Sequence, residues 1–162
     1  MHGRVKVRSS EEKVEAERKE KAEKVRVYRE LTTRIFTKRA SGEKDEEALK
    51  LTREVLIQNP DISTLWNYRR EILTCLLSSL SEEEALKACS VEQSLTQQCL
   101  RVNPKSYCIW LHRQWVLDHS PRPDWTHEIG LCDLFLKYDE RNCECFRRTV
   151  YREWRQGREK ER

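Results

Sequence analysis

The sequence predicts an all-α protein, a right-handed solenoid of helical hairpins (an α-α superhelix). Three observations point to it. Charged residues make up 37% of the chain, only four glycines and four prolines interrupt it, and one residue pattern recurs along it. Dense charge with few turn residues is typical of exposed helices and not of a β fold. With 162 residues, the chain has room for one compact domain or a short helical array.

The recurring pattern is Leu-x4-Leu-x2-Asn-Pro-x5-Trp-x2-Arg-x3-Leu. It begins at Leu51 and again at Leu95, an offset of 44 residues, and all seven positions coincide without a gap. A fixed period of this length is typical of stacked helical repeats. The most distinctive positions of the two copies are Asn59, Pro60, Trp66 and Arg69, then Asn103, Pro104, Trp110 and Arg113.

A third, degraded copy begins at Leu131, offset by 36 residues. It keeps both leucines, has Asp139-Glu140 in place of Asn-Pro, and has Phe146 in place of the tryptophan. Thr149 stands where the arginine is expected. We therefore predict a single solenoid over residues 1–162, made of a long helix at 9–40, repeat 1 at 44–80, repeat 2 at 82–119, the degraded repeat 3 at 124–155 and a basic tail at 156–162.

Each copy is predicted to be a hairpin of two helices, A and B. The proline ends helix A because it cannot continue a helix and disfavours helical geometry in the residue before it. Ser63 and Ser106 are expected to cap the two B helices. The tryptophan and the arginine three residues later share one face of helix B, so the ring should pack on helix A and the arginine should pair with a nearby acid.

Helix boundaries are marked elsewhere by capping signals. Ser9 with Glu12 and Ser81 with Glu84 each form a predicted capping box, at the start of the long first helix and of helix A in repeat 2. Ser41-Gly42 is predicted to end the long helix.

Charge and cysteine content limit the function classes. Net charge is +6 over residues 1–39, −6 over 40–146 and +4 over 147–162, giving +4 for the chain. The acidic middle argues against an RNA-binding array that would use the basic ends. Seven cysteines without a C-x-x-C pair favour free thiols over a zinc site. No signal peptide and no apolar run near 20 residues is found, so we expect a cytoplasmic protein without a transmembrane segment.

Hairpins built on Asn-Pro-x5-Trp-x2-Arg resemble the repeat of protein prenyltransferase α subunits. The segment from Asn103 to Trp115 is similar to the best-marked stretch of that family. The opening Met1-His2-Gly3-Arg4 and the run Asp139-Glu-Arg-Asn142 resemble its Rab geranylgeranyltransferase branch. The likeness extends to Cys145, after which the family continues into further hairpins and this chain does not, so we expect a truncated amino-terminal fragment.

The resemblance implies an enzyme subunit that is inactive alone. A prenyltransferase β subunit would hold the catalytic zinc and geranylgeranyl diphosphate, and this chain would hold no cofactor and bind no nucleic acid. The acceptor would be a Rab GTPase presented by a Rab escort protein. The alternative is an interaction scaffold of the TPR or HAT type with no enzymatic role. TPR repeats run at about 34 residues, however, and neither offset seen here fits that period.

Lys105 and Tyr107 are the candidate catalytic residues. Lys105 follows Asn103-Pro104 at a junction where free backbone N–H groups and the helix dipole favour an anion. The family's matching lysine lies against the diphosphate leaving group, and Tyr107 would donate a hydrogen bond to the same phosphate. The equivalent positions of the other copies hold Asp61 and Arg141, so the fold does not require a lysine. The competing interpretations are an exposed loop lysine and a packed tyrosine ring.

Three further groups have simpler expected roles. Arg69 and Arg113 are predicted to form structural ion pairs, because the repeat places both at one spot. His112 is expected to face a neighbouring helix and not a metal. His2 is a speculative ligand to the zinc of the β subunit, since a neutral imidazole binds zinc well, and an ordinary disordered terminus is the competing interpretation.

Overall fold

The structure is a computed structural model that describes residues 11–142. Six helices and no strand occur in this range. They are α1 (Glu11–Ala40), α2 (Glu46–Gln58), α3 (Ser63–Leu77), α4 (Glu82–Val102), α5 (Tyr107–His119) and α6 (Trp125–Tyr138). The predicted all-α class is therefore confirmed. None of the described helices combines the length and the apolar character needed to cross a membrane.

The chain divides into two compact units, Met1–Gly42 and Glu43–Arg162. Helix α1 belongs to the first, and its surface is dominated by charges paired one turn apart, as between Lys24 and Glu20 at 2.6 Å. Gly42 follows the helix with φ at 76°, the left-handed geometry that commonly ends a helix. The predicted stop is thus confirmed, while Ser9 of the first predicted capping box lies outside the described residues.

Within the second unit the helices pair as stacked hairpins. Helix α2 packs on α3 and α4 packs on α5, while α2 also contacts α4 and α3 contacts α5. The A helices of the two hairpins are therefore neighbours, and so are the B helices, as in repeat arrays generally. Predicted repeats 1 and 2 contain these four helices. For repeat 3 the structure describes only α6, and the predicted helix B and basic tail lie outside the described residues.

Large apolar side chains form the centre of each hairpin. Trp66 and Trp110 are 1% and 0% exposed, and the leucines that open the repeat pattern are buried with them. Burying one such aliphatic side chain is worth about 1.5–3 kcal/mol. Since the same pattern positions fill the same places in both hairpins, the alignment of the two copies describes real structural equivalence.

The helix caps match the sequence prediction in part. Ser81 and Glu84 form the predicted capping box, in which the Glu84 carboxylate accepts the Ser81 backbone N–H at 2.9 Å. Asp45, which the sequence analysis did not single out, caps α2 by accepting the Ala48 backbone N–H at 2.8 Å.

Of the two predicted serine caps of the B helices, Ser63 is wrong, and Ser106 is confirmed in position but not in its side-chain bond. Ser63 is already the first residue of α3, and the carbonyl of Ile62 accepts the first helical N–H groups instead. Ser106 does stand at the capping position of α5, but its side chain makes no cap bond. Its Oγ is buried and has no hydrogen-bond partner. The tight proline turns therefore start both helices without a side-chain cap.

Candidate functional site

The loop between helices A and B is fixed in the same way in both hairpins. The indole N–H of Trp66 donates to the carbonyl of Pro60 at 2.8 Å, and that of Trp110 donates to the carbonyl of Pro104, also at 2.8 Å. Sequence analysis treated these tryptophans only as apolar anchors. The constant x5 spacing is the signal that could have revealed this bond, because it brings the indole back onto its own loop.

Lys105 lies on this loop, immediately before α5. Its backbone N–H donates to the Asn103 side-chain oxygen at 3.3 Å, so the asparagine shapes the turn. The Lys105 ammonium is about half exposed and forms an ion pair with the Asp139 carboxylate. Tyr107 opens α5 two residues later and is 66% exposed. The structure thus places both candidate residues at the exposed start of one helix, where the dipole favours an anion.

Asp139 was missed as a partner of this loop by sequence analysis. The hydrogen bond from Lys105, then that from the Arg141 backbone N–H at 3.1 Å, hold the pKa of the Asp139 carboxyl below its usual value. Three residues on, the Asn142 amide donates to the carbonyl of Pro104 at 3.1 Å. The run Asp139–Asn142 of the degraded third copy therefore contacts the Lys105 loop at two points.

The first buried arginine, Arg69, is a structural ion-pair residue as predicted. Its guanidinium donates twice to the Glu92 carboxylate, and it also donates to the Thr52 hydroxyl at 2.7 Å and to a carbonyl of α2. His112 donates from Nε2 to the same carboxylate at 3.0 Å, and its ring lies 4.6 Å from that of Trp66. Helices α2, α3, α4 and α5 meet at this cluster, which joins the first hairpin to the second.

The pKa values of Glu92 and His112 depend on their burial and on the contacts that they make within this cluster. Burial opposes ionisation of Glu92, but the hydrogen bond from His112 and the charge of Arg69 bring its pKa down to about 2. Burial lowers the pKa of His112 in spite of Glu92, so the imidazole is neutral at pH 7. A neutral ring that donates from Nε2 leaves Nδ1 as an acceptor, and Nδ1 is buried without a partner. His112 therefore faces neighbouring helices, as predicted.

The second buried arginine repeats the arrangement one hairpin later. Arg113 donates from Nε to Glu128 at 2.6 Å, and from Nη1 to the Thr96 hydroxyl at 2.9 Å. Glu92 and Glu128 each stand three residues before the first leucine of their own copy. That shared position is the signal that could have identified the acids from sequence alone.

The described residues offer no candidate metal-binding site. Within residues 11–142 no group of three His, Cys, Asp or Glu side chains is arranged to hold a metal ion. His2, the speculative zinc ligand, lies outside the described residues. The site that the described part offers is the Lys105 loop, a charged and exposed helix start that is suited to an anion.

Stacked helical hairpins with a buried arginine at each junction define a helical-repeat protein. The protein prenyltransferase alpha subunit repeat matches residues 45–76 and 90–120, which contain α2 with most of α3, and α4 in part with α5. The chain therefore carries repeats of the protein prenyltransferase α subunit type. The match favours this family over the TPR-like alternative.

Similar proteins carry a consistent name. The geranylgeranyl transferase type-2 subunit alpha of Homo sapiens is 49% identical over 152 residues, which cover 93% of this chain and 27% of the relative. The protein of the same name from Dictyostelium discoideum is 36% identical over 148 residues, covering 90% of this chain and 48% of the relative. The chain thus spans about a quarter of the length of the human relative and about half that of the amoebal one.

Proposed function

We propose that this chain acts as the scaffold and diphosphate-contacting part of a type-2 geranylgeranyltransferase α subunit. The observation that carries the proposal is Lys105, which is exposed at the start of α5 on a loop fixed by Trp110, inside a matched prenyltransferase repeat. The name of the relatives supports geranylgeranyl transfer as the reaction. The proposed partner is a prenyltransferase β subunit, without which the chain is inactive.

In the proposed reaction a cysteine thiolate of a Rab GTPase attacks the first carbon of geranylgeranyl diphosphate. The new carbon–sulfur bond forms as the carbon–oxygen bond breaks, and the electron pair leaves with the diphosphate. A zinc ion in the β subunit would supply activation of the thiol. A Rab escort protein would present the acceptor.

Lys105 acts on the leaving group. Negative charge on the diphosphate grows as the bond breaks, and a positive charge held at a helix start stabilises that growth. Tyr107, exposed at the same helix start, donates a hydrogen bond to the diphosphate. Trp110 and Asn142 hold the loop that carries Lys105 and leads into Tyr107, so the loop is in place before substrate binds.

Assembly tests the proposal first. The chain is co-expressed with a type-2 β subunit and the mixture is separated by size-exclusion chromatography. We expect one peak that contains both chains, because stacked repeats bury their remaining apolar surface on a partner. A chain that elutes alone, at the same volume with and without the β subunit, contradicts the proposed partnership.

Kinetics of Lys105→Ala test the mechanism in an α–β assembly that contains this segment. An electrostatic donor to a developing anion is worth roughly a hundred- to thousand-fold in kcat, and affinity for the lipid diphosphate should fall less. Lys105→Arg should recover only part of the loss, because a planar fork replaces a point charge. Asp61→Ala, at the equivalent place in the first hairpin, is the matched control and should be nearly silent. Equal small effects at both positions would contradict a catalytic lysine.

A further inference from the structure

The loops of successive hairpins contact each other through the same two positions at both junctions. The acidic member of the contact changes sides from one junction to the next. At the first junction the Asn103 amide, which ends α4, donates to the Asp61 carboxylate at 2.7 Å. At the second junction Asp139, which ends α6, accepts the Lys105 ammonium. In both cases the residue that ends helix A contacts the residue after the proline of the preceding hairpin. The acid lies on the earlier loop at the first junction and on the later loop at the second.

Backbone contacts hold the Asp139 carboxylate in place. Its own N–H donates to the Phe135 carbonyl at 3.0 Å, and its Oδ1 accepts the Arg141 N–H at 3.1 Å. Oδ2 is the oxygen that meets the lysine. Asn142 fixes the same turn to Pro104 at 3.1 Å. Asp139 is therefore a rigid counter-ion, while Lys105 reaches it through a flexible side chain.

We propose that Asp139 is a positioning residue for Lys105, a built-in counter-ion that holds the ammonium at the start of α5 until the departing diphosphate takes it over. The inference rests on the proposed function, since it assigns Lys105 a diphosphate ligand. It explains how a lysine can favour the transition state. Paired with Asp139, the lysine binds a resting diphosphate weakly, and the growing charge of the leaving group competes for it more strongly.

The exposure of the pair makes this exchange possible. The side chains of Lys105 and Asp139 are 54% and 29% exposed. A pair this accessible to water holds its partners only weakly, so an anionic ligand can separate them. The competing explanation is a purely structural bond between hairpins, in which Lys105 stays on Asp139 throughout. That explanation predicts an effect of Asp139 on stability and none on anion binding.

The first arm of the test uses the whole chain and needs no enzymatic activity. Lysines are acetylated with a water-soluble active ester, and the rate at each lysine is read by mass spectrometry. Asp139→Asn keeps the turn oxygen but removes the charge, so Lys105 should react about two- to five-fold faster, the factor that a half-exposed ion pair is worth. Asp133→Asn, an exposed aspartate of α6, is the matched control and should leave Lys105 unchanged. Equal rates in the two variants overturn the positioning role.

The second arm uses the α–β assembly and inorganic pyrophosphate as the probe. Asp139→Asn should lower the inhibition constant of pyrophosphate about two- to five-fold. It should lower KM and raise kcat/KM by a similar factor, with kcat little changed, because neither the bound state nor the transition state then has to break the ion pair. A Lys105→Met background should abolish all of these changes, and Asp139→Glu should restore the parent values. Changes that persist without Lys105, or an unchanged inhibition constant, overturn the inference. An unmodified assembly without transferase activity overturns the proposed function instead, and the acetylation rates still decide the pairing.

Discussion

The two junctions between hairpins use one backbone plan and different side-chain chemistry. At the first, the Asn103 amide of one loop donates to the Asp61 carboxylate of the other. At the second, the loops share the Lys105–Asp139 ion pair and also the bond from Asn142 to the Pro104 carbonyl. Ser106, which stands where the third copy has Asn142, is too short and leaves its Oγ buried without a partner. The loop that carries the candidate catalytic lysine is therefore the more firmly held of the two.

In the protein interior the first junction, and not the second, has the more complete hydrogen bonding. Arg69 binds both oxygens of Glu92, and His112 shares that carboxylate. Arg113 binds Glu128 through Nε, and its buried Nη2 has no hydrogen-bond partner among the described residues. The buried side chains thus have more hydrogen-bond partners at the first junction, and the exposed loops have more contacts at the second. The buried arginine pairs therefore serve stability, and the exposed loop carries the candidate functional lysine.

The largest effect is expected from the tryptophans, where the two hairpins are alike. Trp66→Ala and Trp110→Ala should each cost ~3–5 kcal/mol, as core aromatic truncations do. Urea unfolding of the whole chain measures the loss. Trp115→Ala, a half-buried ring stacked 4.1 Å from His119, is the control and should cost clearly less. An unchanged free energy of unfolding in both variants would mean that the repeat alignment is wrong.

Replacing the buried arginines should destabilise the two junctions to different extents. Arg69→Met leaves the buried Glu92 charge without its bidentate partner, and breaking a buried pair costs about 3–5 kcal/mol. Arg113→Met should cost less, because Arg113 binds Glu128 through Nε, whereas Arg69 binds Glu92 through two nitrogens. Adding Glu92→Leu to Arg69→Met should recover part of the loss, since no buried charge then remains unpaired. A larger cost at Arg113, again by urea unfolding, would reverse the comparison.

Acid should weaken the first junction in two steps. The pKa of His112 is lowered by burial from its usual 6.5, so the unfolded chain binds the proton more readily and stability falls as pH drops below about 6.5. Arg69 and Arg70 add to this lowering, and Glu92 opposes it. The Glu92 pKa of about 2, against a usual 4.5, makes its contribution about 3 kcal/mol above pH 4.5, lost as pH falls toward 2.

Chemical unfolding measured from pH 7.5 to pH 5 checks the first step. His112→Gln retains a donor for Glu92 but cannot titrate, so its stability should change less over this range than that of the parent chain. A parent stability that rises on acidification from pH 7 to pH 5 would contradict a buried neutral histidine.

The smallest effect is expected from exchanging the loop contacts. Asp61→Lys combined with Asn103→Asp transplants the second junction's ion pair into the first. The double variant should unfold within ~1 kcal/mol of the parent, because exposed pairs are worth little. Asp61→Lys alone should be less stable than the double variant, since the lysine and the Asn103 amide both act as donors. Additive effects in a double-mutant cycle would show that the loops do not couple.

Sequence predicted the hairpins well because their signals are local. Proline stops, leucine periodicity and the Trp-x2-Arg spacing all act within one copy, and they located four helices and both buried tryptophans. The Ser81 capping box is a signal of the same kind. Ser63 failed because α3 begins one residue earlier than the prediction assumes, so Ile62 holds the cap position and the serine is already helical.

Contacts between copies were harder to predict. Lys105 meets Asp139 and Arg69 meets Glu92 across repeat boundaries, where no local rule fixes the partner. The acids of the arginine pairs were visible only as a shared position in two copies. Asp139 lies in the copy that departs most from the pattern. The sequence analysis therefore interpreted aspartate in place of asparagine as a sign that this repeat is degraded. The structure shows it to be an ion-pair partner.

The arginine pairs also bear on how the chain folds. Arg69 and Glu92 are 23 residues apart in sequence, and Arg113 and Glu128 are 15 apart. The bond from each indole to its proline spans only six residues. Short separations of this kind give low contact order, and such proteins fold in microseconds to milliseconds because little loop entropy is lost before contacts form. Either hairpin can therefore serve as the nucleus, and its neighbour adds to it as the arginine–glutamate pair between them forms.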